Sequence, residues 1–361
     1  MESAVPDQKP SVRCRVAVAI LNWNGEEHLK RFLPSVVAHT DSEDCVVVID
    51  NGSTDQSLPL LKARFPSVHV VSLADNHGFS GGYNRGLKAL LADWTAEWVV
   101  LLNSDVEVTE GWLDAMVGAA TEHGWAAAQP KIRSVEKRAE FEYAGAAGGY
   151  MDRNGFMFCA GRVFDTQELD TGQYDGDVEV FWASGACLLV RTDAWQAVAG
   201  LDEDFFAHME EIDLCWRLRN RGWSIGMTSA GHVYHLGGGT LQQESARKAH
   251  LNFRNNLFLL LKNDHRAGVR GRIFFRQCLD GVAGLRFLME GKPDFFKAVI
   301  EAHGDYRRSR SRMMAKRSQE MESAAPARDR RTVGQYHGSI VWDYFVRGKR
   351  MFSELDRKRF D

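Results

Sequence analysis

The sequence predicts an α/β protein: a largely parallel sheet with flanking helices, continued by a mixed sheet and followed by a mainly helical, basic C-terminal region. Three observations predict it. Short β-rich apolar runs alternate with helical patterns through the first hundred residues, as parallel strands joined by crossover helices do. Each of those runs stops at a polar cluster. The charge is also partitioned, with 23 Lys+Arg against 36 Asp+Glu in residues 1–265 and 22 against 12 in residues 266–361. We therefore divide the 361 residues into one unit over 1–265 and a helical, basic region over 266–361, each facing different partners. With 44% hydrophobic and 26% charged residues, disordered, collagen-like and low-complexity chains are excluded.

The elements follow in order. Val16 to Leu21 reads as a buried strand, and Leu29, Phe32, Leu33, Val36 and Val37 then fall on one face of an amphipathic helix. Cys45 to Ile49 is a second strand ending at Asp50, and Val68 to Leu73 a third. Ser80 to Leu91 is a helix, and Trp98 to Leu102 a fourth strand ending at Asn103-Ser104-Asp105. Residues 125–190 alternate short strands with glycine turns, a mixed sheet continuing the first. Thr192 is suited to cap a short helix to Ala199, with Gly200 beyond it. A helix beginning near Glu210 buries Ile212, Cys215 and Trp216 and pairs Asp213 with Arg217 at i,i+4. Trp223 to Met227 and Gly231 to Tyr234 read as a hairpin. A glycine run follows, then a long helix from about Leu241 to Lys262. Beyond Asp264 come basic helices with the run Arg307 to Arg312, a polar loop over Gln319 to Arg331, and an aromatic, basic tail containing Trp342, Tyr344, Phe345 and Phe352.

The six cysteines are scattered and form no C-x-x-C pair, which fits a reducing cytosol. The polar N-terminus resembles no signal peptide, and no apolar run reaches the ~20 residues that span a bilayer.

Open α/β sheets bind ligands beyond the carboxyl ends of their strands. Four polar clusters end up on that edge: Asn22-Trp23-Asn24-Gly25, Asp50 to Asp55, Asp75-Asn76-His77-Gly78, and Asn103-Ser104-Asp105. Each cluster alone is a set of ordinary turn formers; four on one edge point to a site. Three carboxylates crowd the start of the helix at Glu210. The helix dipole accounts for part of that bias. It does not account for the neighbouring Phe205 and Phe206, whose apolar surface raises carboxylate pKa values and suits a base.

With their spacing, VAVAILNWNG, VVVIDNGSTD, DNHGFSGGYNRG, VVLLNSDVEV and GLDEDFFAHMEEIDLCWRLRNRGW…VYHLGGGT resemble the inverting family 2 glycosyltransferases, particularly their rhamnosyltransferase-like branch, over residues 14–265. The resemblance implies a GT-A-type nucleotide-binding, Rossmann-like sheet. It also implies transfer of a sugar from a nucleoside-diphosphate sugar, dTDP-rhamnose or a UDP-hexose, to an acceptor hydroxyl. Asp50 matches the family's nucleoside-binding Asp, with Asn22 beside it; Asn76, Gly78 and Asn84 match the loop near the nucleotide. Asp105 falls on the metal-binding Asp of the D-x-D pattern, in which Asn103 and Ser104 replace the other two positions. His235 matches the distal metal ligand, so Mg2+ or Mn2+ is the implied cofactor. Glu211 matches the general base of the E-D-x-D pattern, with Glu210 as its understudy. Trp182, Ser184 and Gly185 match the acceptor-facing segment.

The implied acceptor is a lipid-linked or cell-surface glycan. The basic, aromatic C-terminal region suits an anionic membrane surface, at the inner face of the plasma membrane; a second copy of this chain is the alternative contact. Nucleic acid is not expected, since no recognition motif accompanies the charge. Two other functions compete. A sugar nucleotidyltransferase would need a basic glycine-rich loop after the first strand, which NWNGEEH lacks. A catalytically weak sugar-nucleotide or glycan-binding protein is favoured by the departures at Asn103 and Glu211.

Overall fold

The computed structural model describes residues 12–237 and 245–361. Its frame is a nine-stranded sheet among the described residues, built from β1 (Val12–Asn22), β2 (Cys45–Asn51), β3 (His69–Leu73), β4 (Trp94–Asn103), β5 (Val106–Val108), β6 (Ala127–Ser134), and three later strands. A smaller sheet contains β7 (Gly149–Asp152), β8 (Met157–Cys159), β9 (Arg162–Val163) and β10 (Thr166–Gln167). The large sheet is completed by β11 (Asp177–Glu179), β12 (Cys187–Arg191) and β13 (Ile225–His235). The strand order is β11-β13-β6-β12-β4-β1-β2-β3, with β5 pairing β13. β1 through β4 are parallel, joined by α1 (Glu26–Ala38), α2 (Ser57–Arg64) and α3 (Gly78–Asp93). This is the GT-A arrangement, with fully buried apolar strands at its centre as a sheet covered on both faces requires.

Register places the polar strand ends together. Asn22 sits opposite Asp50, Leu21 opposite Asn103, and Asp50 opposite Ser72. The expected hairpin at 223–234 is instead one bulged strand, β13, because Ile225 to His235 runs parallel to β6 and its irregularity between Thr228 and His232 mimics a turn. Residues 125–190 divide between the two sheets rather than simply continuing the first. The N-cap of α5 (Thr192–Ala197) is Arg191, one residue before Thr192.

After α4 (Trp112–His123) and α6 (Glu210–Asn220), the chain becomes helical: α7 (Ala246–Asn263), α8 (Val269–Met289), α9 (Pro293–Ser323) and the short α10 (Ile340–Phe345), preceded by the two-residue β14 (Gln335–Tyr336) on the smaller sheet. The first part of the polar loop expected from Gln319 is thus the end of α9, where strong helix formers extend the pattern. The expected start of the long helix at Leu241, the glycines at 238 and 239, and the N-terminal residues 1–11 lie outside the described residues.

The tail aromatics part ways. Tyr344 and Phe352 are buried in the same hydrophobic cluster as Phe158 and Tyr336, while Trp342 and Phe345 face solvent. Burial therefore removes Tyr344 and Phe352 from any membrane-facing role. All six cysteines are free thiols, and among the described residues no helix is long and apolar enough to cross a membrane.

α6 is tied to the C-terminal helices by buried charge. Asp213, fully inaccessible, accepts from Arg217 Nε at 2.7 Å, Lys262 Nζ at 2.9 Å and Asn263 Nδ2 at 2.8 Å. Lys262 also reaches Asp202 at 2.7 Å, and Lys316 of α9 closes the network on Asp202. Asp213→Ala leaves the buried Arg217 without its carboxylate and takes one of the two from Lys262, so urea unfolding is expected to register a loss of about 3–5 kcal/mol.

Candidate active site

The site gathers at the carboxyl edge of the large sheet. On its β1/β2 side, Asn22 Nδ2 donates to Asp50 Oδ1 at 3.1 Å and to Ser53 Oγ at 3.2 Å, and Ser53 N–H donates to Asp50 Oδ2 at 3.1 Å. Asn22 Oδ1 is buried with no partner. Ser104 stands close by, across Gly25. Asn76 Oδ1 accepts from Asn51 Nδ2 at 3.0 Å and from the Gly78 N–H at 2.8 Å, which holds the loop before α3. Gly78 has a positive φ of 71° and lies against the Phe206 ring; a Cβ there would come within 3.1 Å of it. Asn84 points elsewhere: its amide exchanges two hydrogen bonds with the Leu201 backbone and so anchors the segment before α6.

The strand pairing of β5 with β13 puts Val106 opposite His235, and Asp105 is therefore its neighbour. His235 Nε2 lies 3.2 Å from Asp105 Oδ1, and its Nδ1 lies 3.4 Å from Glu142 Oε2. Burial works against charge on the ring, but Glu142 and Asp105 outweigh it and push the imidazole up to about 10. Asp105, although desolvated, is held below the usual carboxylate range chiefly by His235. The Asn103 amide nitrogen is 3.4 Å from His235 Nε2. A carboxylate oxygen and an imidazole nitrogen converge here, with a second carboxylate, Glu142, in ionic contact behind the ring. That donor set fits a divalent cation with oxygen and nitrogen ligands.

Glu211 stands in the first turn of α6. Asn103 N–H donates to Ala186 O at 3.0 Å, and Gly185, one residue earlier, packs directly on the Glu211 side chain. Glu211 is half-buried, forms no ion pair among the described residues, and its Oε2 has no partner. Burial pushes its carboxyl up to about 7 despite favourable backbone N–H groups. Glu210 is more deeply buried, and desolvation with the adjacent Glu211 raises it well above the ordinary value. Trp182 and Ser184 are buried: the indole N–H donates to Tyr150 O at 3.0 Å, and the Ser184 hydroxyl bonds Ala144 O. Gly185, next in the segment, adjoins the Glu211 carboxylate.

The turn into α6 is strained. Phe206, His208 and Met209 all have positive φ, costly for residues with side chains. Asn255 of α7 holds it in place, donating to Phe205 O, Ala207 O and His208 O at 2.9, 2.9 and 2.7 Å. Sequence motifs did not single out Asn255 or Glu142. Both act through contacts more than 45 residues away in the chain, and no local pattern marks them. Asn51 and Ser53 stood inside a recognised polar cluster, but their partners depend on strand register.

An acidic group of Glu43, Asp44 and Asp114 lies at the other end of β1, where Arg15 neutralises it. It is remote from this edge.

The sheet has the GT-A arrangement, with polar clusters at the ends of its parallel strands. The sequence profile of Glycosyl transferase family 2 matches residues 17–157. The chain is 37% identical over 223 residues to rhamnosyltransferase WbbL of Escherichia coli K12, covering 61% of this chain and 83% of that protein. It is 29% identical over 238 residues to an N-acetylglucosaminyl-diphospho-decaprenol L-rhamnosyltransferase of Mycobacterium tuberculosis, covering 60% and 75%. Among solved structures, Staphylococcus aureus TarS 1-349 superposes with a TM-score of 0.50 at 16% identity, over 86% of this chain and 90% of that one. GalNAc-T7, solved with UDP, GalNAc and Mn2+, gives 0.51 at 16% identity, over 69% of this chain and 48% of that one. The chain belongs to glycosyl transferase family 2 and is a glycosyltransferase of the rhamnosyltransferase-like kind. A nucleotidyltransferase or a mere binding protein is thereby set aside.

Removing the Asn255 amide leaves the Ala207 and His208 carbonyls of the strained turn without their donor, while Phe205 O keeps the Ala207 N–H and Arg254. Asn255→Ala is expected to lower kcat by about 10- to 100-fold, because sub-ångström drift of a reacting group is that costly. Donor KM should stay within twofold of wild type in steady-state assays.

Proposed function

We propose that the protein moves a sugar, with inversion, from a nucleoside-diphosphate sugar to a hydroxyl of a lipid-linked or cell-surface glycan. The observation that carries this reading is the partnerless Glu211 carboxylate, set across Gly185 from the Asn103 strand end. The donor is dTDP-rhamnose or a UDP-hexose. Its nucleoside is held by Asp50 and Asn22, whose orphaned Oδ1 awaits a donor group, and by the Asn76–Gly78 loop and Ser104. Asp105 and His235, with Asn103 beside them, would hold Mg2+ or Mn2+, which when bound neutralises the charge that develops on the leaving diphosphate. Glu142 orients the His235 ring.

Glu211 removes the proton from the acceptor hydroxyl as its oxygen forms a bond to the anomeric carbon. On the opposite face, the bond from that carbon to the diphosphate oxygen breaks with its electron pair. A carboxylate near neutrality is matched to this task, and the apolar wall that raises it also excludes water. Burial and the adjacent Glu211 both disfavour charge on Glu210.

The acceptor's lipid anchor gives the C-terminal region its partner. On α8, Phe274, Val282, Leu285 and Met289 are 69, 63, 57 and 82% exposed along one face. Arg286 links that face to Phe345 at 5.7 Å, beside exposed Trp342 and Val346. An apolar stripe within a region of net charge +10 suits the interface of an anionic bilayer at the cytoplasmic face. The run Arg307 to Arg312 on α9, already counted in that charge, presents its arginines to solvent.

Glu211→Gln is expected to abolish transfer while the donor still raises the melting temperature. Wild-type kcat/KM should rise with pH through about 7 and level off above it, since the base acts only when deprotonated; a flat profile from pH 5 to 9 would refute the assignment. Glu142→Gln is expected to weaken Mn2+ dependence of activity by about 10- to 100-fold, the usual effect of losing a carboxylate that orients a ligating imidazole. Val282→Asp with Leu285→Asp should lower co-sedimentation with phosphatidylglycerol vesicles at least tenfold and leave sedimentation velocity unchanged; a shift in sedimentation instead would make this face a contact between copies.

A further inference from the structure

Gln129 is fully buried in β6, with Ala127 and Ala128 before it in the strand and Ile132 beyond. An amide in such surroundings is costly unless its polar atoms are bonded. Here they join two segments distant in the chain. Gln129 Oε1 accepts the Ser184 N–H at 2.8 Å, while Nε2 donates to Pro130 O and Gly145 O, each at 3.2 Å, and reaches Ala146 O at 3.5 Å. The two segments also meet directly. The Ser184 hydroxyl donates to Ala144 O and accepts the Ala186 N–H at 3.2 Å. A Cβ on Gly145, whose φ is 141°, would collide with the Ser184 side chain, so only glycine allows this approach.

Each segment carries one side of the site. Before Gly145 stands Glu142, whose Oε2 accepts the Ala144 N–H and lies 3.4 Å from His235 Nδ1. After Ser184 stands Gly185, where a Cβ would lie 3.7 Å from Glu211 Cδ, and then Ala186, whose carbonyl takes the Asn103 N–H at 3.0 Å. Gln129 is the side chain that bonds both. An apolar side chain of the same length would fill the same space, but packing resists compression and not sliding, whereas hydrogen bonds to fixed backbone groups set register.

We propose that Gln129 is a positioning residue for the transfer reaction: its amide holds the Glu142 and Gly185 segments in one register and so sets where the Glu211 carboxylate stands relative to Asp105 and His235. This rests on Glu211 as the base. Residues 183–186 bring no ionisable group to Glu211; the groups in electrostatic contact with it are Glu210, Cys215 and Cys159. Their contribution is to fix the carboxylate in place and keep water from it.

Gln129→Met keeps the length of the side chain and removes its hydrogen bonds. It is expected to lower kcat about 30- to 100-fold with donor KM within about twofold of wild type, the cost of a reacting group held loosely. The rising limb of kcat/KM, near pH 7 in wild type, should move down by about half a unit or more as water gains access to the carboxylate. Independently of activity, hydrogen–deuterium exchange over residues 183–187 should quicken about tenfold or more. Leu61→Ala, in a core cluster separate from that of Ala146 and Ala183, is the control: it should lower the melting temperature and leave kcat and the limb unchanged. Should Gln129→Met fail to fold, Ser184→Ala decides instead, since it cuts the hydroxyl link, spares Gln129 and should shift kcat and the limb the same way by less. Unchanged kcat, a lowered kcat with the limb in place, or a donor KM that rises as steeply as kcat falls would each overturn the proposal. Glu211→Gln is run in parallel: its inactivity beside unaltered Gln129→Met kinetics would keep the base and reject the positioning role, whereas an active Glu211→Gln would reject the base itself.

Discussion

The buried charge network centred on Asp213 is the constraint on which the rest depends. Arg217 of α6, Lys262 of α7 and, through Asp202, Lys316 of α9 converge on two carboxylates with almost no access to water. Ions in such surroundings are tolerated only with full partnership, so the relative placement of the three helices has little freedom. α6 begins with Glu210 and Glu211, and the network therefore sets where those carboxylates stand against the sheet. The C-terminal helices are in this sense part of the active-site scaffold, and the hydrophobic cluster they share with the central strands says the same.

Much of this frame was legible in the chain. The first four strands and their polar ends follow from the apolar runs, because a sheet buried on both faces demands them, whereas the order β4-β1-β2-β3 was not read from the chain. The start of α6 and the Asp213–Arg217 pair were readable from i,i+4 spacing. The bulge in β13 was not, since an interrupted strand and a hairpin have the same local composition. Nor was the fate of the tail aromatics: Tyr344 and Trp342 are two residues apart on a short helix, and only the packing surface decides that one is buried and the other exposed.

The site itself divides along the same line. Asp50, Asp105, Glu211 and His235 lie on motifs and could be named. Glu142 and Asn255 could not, because each exerts its effect across the fold, one by orienting an imidazole and the other by capturing three carbonyls of a turn with left-handed backbone. Asn84, Trp182 and Ser184 illustrate the converse. They sit in recognisable segments, yet their polar atoms are committed to the protein's own backbone, and they serve the site by supporting its walls.

The contact between Phe206 and Gly78 has a bearing on how rates should be interpreted. Gly78 lies in the loop proposed to hold the nucleoside and Phe206 opens the strained turn before Glu211, so under the proposed roles one aromatic face would form the partition between the compartments for the two substrates. A side chain altered at that partition perturbs both compartments at once. Michaelis constants for donor and acceptor would then move together, and neither could be read as a private property of its own ligand.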